Sequence, residues 1–128
     1  MTEEALASSV RNKLAKAKEF LLVAGVAHDQ AFDAATSLAV SAAVNASDAI
    51  LLIEVGTYPT GGQHMHALTL LREAGYGRAA RHLGACLGLK NKAQYAVSAC
   101  TRGNADAAVS HATRIVDAAA RLADERGF

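Results

Sequence analysis

The densest run of chemically able side chains in the sequence is Lys90-Asn91-Lys92-Ala93-Gln94-Tyr95. It sets two ammonium groups, two amides and a phenol into an otherwise apolar chain. Spacings of one, four and five residues keep Lys90, Asn91 and Tyr95 within one broad arc of a helix. The plainer reading is a solvated helix end, with the Tyr95 ring packed and its hydroxyl wet. Asn45 and Asp48 form a second polar pair, at i and i+3 inside a long apolar stretch. They either cap a pocket or meet solvent or partner backbone, because buried polar groups need partners. His64 and His66 open a third helical stretch, and residues i and i+2 point apart on a helix. That makes them a poor chelate, and His82, Cys86, Cys100 and His111 show no standard zinc spacing. There is no ExxH pair of the di-iron kind. No metal and no other cofactor is expected.

The elements that must position these groups read as helices. The chain has 128 residues, 52% of them apolar, one proline and no tryptophan. Alanine makes up roughly a quarter, and it is the best helix former. Composition and length predict one all-α domain over residues 1–128. The formal net charge of +1 gives no global field toward nucleic acid or membrane. Between Arg72 and Arg102, however, six basic residues face the single acid Glu73, which makes a local basic surface plausible. Cys86 and Cys100 lack CxxC spacing and no signal peptide is recognisable, so reduced thiols and a cytoplasmic location are expected. The apolar run Ala49–Val55 is far shorter than a bilayer span, and no membrane partner is expected.

Along the chain, Thr2 predicts the N-cap of a first helix ending near Gly25, with Leu6, Val10, Leu14, Ala17 and Leu21 inward. The charges from Arg11 to Glu19 read as its solvated face. Asp29 predicts the cap of a second, central helix over Gln30–Val55. Residues 56–62 form a loop whose Gly61-Gly62 pair lacks the strand and the GK[ST] of a phosphate loop. A third helix follows from Gln63 to Ala74, closed by Gly75. A fourth starts at Gly77, with Arg78 and Arg81 outward, and continues through the polar run to Val97. Thr101 or Asn104 caps the last helix, in which His111 sits on the apolar stripe as a core histidine.

The order of these pieces resembles the HEPN (higher eukaryotes and prokaryotes nucleotide-binding) family. The likeness runs from about Ala15 to Leu122 through NASDAILLIEVG, QHMHALTLLREAG, LGLKNKAQY and ADAAVSHATRIVDAAARL. It implies an up-and-down bundle of about five helices, a homodimer, and a site near the polar run. Ribonuclease members carry an arginine followed at a set distance by a histidine. Here Lys90 and Tyr95 stand at those places, Asn91 alone matches, and Arg78 to His82 is one residue too short. Tyrosine is protonated at neutral pH, and lysine lacks the planar grip of arginine on phosphate. The resemblance therefore implies a non-catalytic nucleotide- or RNA-binding member, often beside a nucleotidyltransferase in toxin–antitoxin or defence-like systems. Its ligand contacts would come from Lys90, Asn91, Lys92 and Tyr95, with Asn45, Asp48, His64 and His66 as further candidates. Two other readings stand beside it. One is a ribonuclease drawing its base from His64, His66 or His82. The other is a structural bundle that binds protein through its smooth alanine faces.

Overall fold

A computed structural model describes residues 1–128, and all regular structure in it is helical: α1 (Glu3–Ala27), α2 (Phe32–Glu54), α3 (His64–Glu73), α4 (Gly77–Gln94) and α5 (Arg102–Glu125). The chain is an all-α bundle of five helices. α2 is its axis and packs against the other four, while the short α3 leans mainly on α4. By length and composition α2 is also apolar enough to cross a membrane, but in this bundle it is the buried core helix.

Small side chains at regular spacing explain how five helices pack so closely. The wholly buried residues of α1 are Val10, Ala17 and Ala24, seven apart. On α2 the buried alanines 35, 39, 42, 46 and 49 alternate steps of four and three, and on α5 Ala105, Ala108, Ala112, Ile115, Ala119 and Leu122 do the same. This is the seam spacing of gently supercoiled helices, and alanine in it lets the axes approach closely. Ile50, Leu51, Leu71, Leu83 and Ile115 fill the wider centre.

The ends of the helices are set by local chemistry. Thr2 caps α1, its hydroxyl accepting from the Ala5 N–H at 3.1 Å. Thr101 and Asn104 form a reciprocal capping box at the start of α5. Gly75, at a φ of 91°, closes α3: its own N–H donates to Arg72 O and that of Tyr76 to Leu71 O.

Three boundaries differ from the sequence expectation. α1 runs past Gly25 to Ala27, since glycine inside a long packed helix costs only about 1 kcal/mol. α2 begins at Phe32 with Ala31 at its cap, and Asp29 instead binds Arg102 at 3.1 Å. α4 stops at Gln94 rather than Val97, because the chain must turn there to reach the α5 cap at Thr101. Two bonds fix that turn. The Gln94 amide donates to Ser37 Oγ at 2.9 Å, and Asp33 accepts the Cys100 N–H at 2.7 Å.

Candidate functional site

A groove of about 440 Å³ opens where α1, α2, α3 and α4 meet. Lys90 and Gln94 reach it from α4, one turn apart; Asn45 and Ser41 come from α2, also one turn apart; and His64 is the first residue of α3. The α1 wall carries Lys16, Glu19 and Phe20. Three residues singled out in the sequence, Lys90, Asn45 and His64, thus come together from three helices.

Each group is left able to bind. The Asn45 amide donates to Ser41 O at 2.8 Å, which fixes its orientation and leaves its own oxygen free to accept. Neither Lys16 nor Lys90 belongs to any of the chain's four salt bridges. Burial lowers the His64 pKa, the nearby Lys90 ammonium lowers it further, and the Asp48 carboxylate only partly offsets them. His64 is therefore a neutral imidazole at neutral pH, able to accept or to donate one hydrogen bond.

Asp48 lies behind this wall, buried, with Lys13 Nζ 3.0 Å from its carboxylate and 4.5 Å above the centre of the Tyr58 ring. The two partners shift in ways that disagree about the pair. Burial raises the Asp48 pKa by more than Lys13 pulls it back. Burial also opposes the charge on Lys13, but there the carboxylate and Tyr58 outweigh it and the pKa rises. The carboxylate is the deeper partner, so the desolvation cost falls on it. The pair acts as a fastening between α1 and α2 more than as a source of net stability.

The rest of the sequence-derived set lies elsewhere. Lys90, Asn91 and Tyr95 do not share one working face: Asn91 is exposed, and Tyr95 leaves helical geometry as the residue that ends α4. One step of about 100° along a helix is enough to carry Asn91 out of the groove that holds Lys90. Tyr95 is 76% exposed, so its side chain is not packed as expected. Lys92 stands toward Asp33 and Cys100, where its charge helps to lower the Asp33 pKa behind the dominant hydrogen bond from the Cys100 N–H. His66 is exposed and outside the groove.

His82 and His111 meet between α4 and α5, with their Nδ1 atoms 2.9 Å apart. His111 is thus a half-buried histidine with a polar partner. Burial lowers the His82 pKa, and His111, Arg81 and Arg114 lower it further. No three His, Cys, Asp or Glu residues are grouped to hold a metal ion. Burial pushes the Cys86 thiol up to about 12, which removes it as a nucleophile.

Sequence reasoning missed the α1 wall, because the run from Arg11 to Glu19 has the spacing of any solvated helix face. Only the packing of α1 on α2 brings Lys16 and Glu19 opposite Lys90. As assembled, the groove offers two unpaired ammonium groups, a neutral imidazole and fixed amides, against the single carboxylate of Glu19. That set fits the oxygens of an anion and the hydrogen-bonding edge of an attached polar group. Compared with known proteins, the chain matches no family model, and no curated protein is significantly similar to it.

Proposed function

We propose that the chain is a HEPN-like module that binds a nucleotide or an RNA phosphate in the groove between α1, α2, α3 and α4, without efficient nuclease chemistry. The observation that carries this reading is the convergence of Lys90, Asn45 and His64 on one groove that also receives Lys16. The lysines hold phosphate as point charges, and Asn45, Ser41 and Gln94 orient what is attached to it. A homodimer and a nucleotidyltransferase partner belong to the same reading. Exposed Leu22, Val26, Tyr95 and Val97 support an interface, since they follow the groove residues Glu19, Phe20 and Gln94 along the chain.

The test is titration of a fluorescent single-stranded RNA and of AMP at several salt concentrations. Lys90→Ala and Lys16→Ala should each lower RNA affinity and flatten the salt slope by about one unit or less. Unchanged affinity in both variants would sink the proposal.

One observation favours a second reading, a metal-independent ribonuclease. A neutral His64 in a cationic groove has the protonation state a general base needs. Metal-free RNA cleavage by the unmodified protein, abolished by His64→Ala, would replace the binding reading with this one. Tyr95→His combined with Lys90→Arg should not create cleavage within one chain, because position 95 lies outside the groove.

A further inference from the structure

A second groove, of about 220 Å³, lies between the N-terminal half of α4 and the C-terminal half of α5. Arg78 and His82 line it from α4, one turn apart, and Arg114 and Arg121 from α5, two turns apart. The helices run antiparallel here, as the bonds from His82 to His111 and from the Cys86 thiol to Ala108 O show. The two rows therefore face each other, and alanines on the floor leave the space between them open.

The charge balance in this groove is unusual for a helix surface. All four of the chain's salt bridges are made by other residues, so Arg78, Arg114 and Arg121 form no direct ion pair. Asp117 stands between Arg114 and Arg121 on α5 and lines the same groove, yet it pairs with neither. Three arginines against one aspartate leave a formal surplus of two positive charges in a small space. Like charges so placed repel, and a guest anion relieves the repulsion. Guanidinium forks match phosphate oxygens two at a time, which lysine cannot do. The start of α4 adds to this, with no side-chain cap and no acid in its first turn, beside Arg78.

We propose that this groove binds a compact polyphosphate anion, of di- or triphosphate size, through Arg78, Arg114 and Arg121. It does not depend on the Lys90 groove, which offers lysines and amides and no arginine.

The experiment is an NMR titration of the full chain with sodium tripolyphosphate, following arginine Nε–Hε and histidine ring signals. The Arg78, Arg114, Arg121 and His82 signals should move together on one saturable curve. Arg78→Gln, Arg114→Gln and Arg121→Gln should each weaken binding about fivefold. All three residues are on the surface, so the fold should survive these changes. Arg81→Gln removes the same charge from an exposed position outside the groove and should change affinity by less than about twofold. Equal weakening by Arg81→Gln would reduce the effect to net charge and overturn the proposal. So would the absence of saturation, or shifts confined to His64 and its neighbours. An oligoadenylate RNA run in parallel separates the sources of phosphate: saturation by the RNA but not by tripolyphosphate would assign the arginines to a strand and overturn the compact-anion site.

Discussion

Lys90 and Gln94 stand one turn apart on α4 and both reach the groove, whereas Asn91 and Tyr95, each one residue further on, do not. Chemical density in a sequence marks a neighbourhood; helical phase decides which members face the groove. Asn45 and His64 were legible because a polar residue inside an apolar helix, or at a helix start, stands out from its pattern. Lys16 was not, because nothing in its own helix distinguishes it from Lys18. The histidines also set a pH dependence. His64 and His82 both have folded pKa values below the ordinary 6.5. Between those values and 6.5 the unfolded chain binds more protons, so stability is full above 6.5 and falls as pH drops through that window. Asp48 works the other way further down: its raised pKa returns some stability as pH falls toward 3.8. The urea midpoint should therefore decline between about pH 7 and 5, hold level near pH 7.5, and fall again above about pH 9, where the unfolded chain can ionise the Cys86 thiol that burial keeps protonated in the fold. In His82→Gln that decline should be shallower. A midpoint that rises on acidification from neutral would contradict the assignment.

At the scale of the helices, five elements in order were readable from 3.6-residue periodicity, and glycine or threonine marked most of their ends. Boundaries failed where tertiary partners decided them, as at Gln94, which Ser37 fastens to α2. The alternating steps of four and three on α2 were present in the sequence but hidden. Other apolar residues flank that seam, Leu38, Val40, Ala43, Val44 and Ile50 among them, so no single stripe contrasts with its surroundings. Packing selects the seam, and substitution should reveal it. Ala42→Leu forces a branched side chain into a wholly buried position and should cost about 1–3 kcal/mol. Ala34→Leu, exposed on the same helix, should change stability by less than about 0.5 kcal/mol. Urea unfolding of the two variants makes the comparison directly.

At the scale of the whole molecule, one copy leaves apolar surface uncovered. Leu22, Val26, Tyr95 and Val97 remain largely exposed, as expected of a surface that a second copy covers. Sedimentation velocity should show a dimer at high micromolar concentration, and Leu22→Glu with Val26→Glu should give a folded monomer. A wild-type monomer under those conditions would count decisively against the shared surface. The resemblance in the sequence implied a homodimer, whereas which apolar residues stay exposed emerges only once the helices are packed.

The alanine seams have a mechanical consequence. A methyl stub fills little of the hollow opposite it, so such helices meet as smooth rods, with weak detents against sliding along their length. Polar pins therefore add to the few large core side chains in fixing axial alignment, among them Lys13 with Asp48, Gln94 with Ser37, Asp33 with the Cys100 amide, and His28 with Asp106. Lys16 and Glu19 ride on α1 about one and two turns beyond Lys13, while Asn45 sits on α2 one turn before Asp48. The Lys13–Asp48 pin therefore sets the offset between two walls of one groove. With that pin drawn, the offset would rest on the apolar grip of Val10 and Leu14 and on the four-residue link from α1 to α2, a softer mould around the same anion.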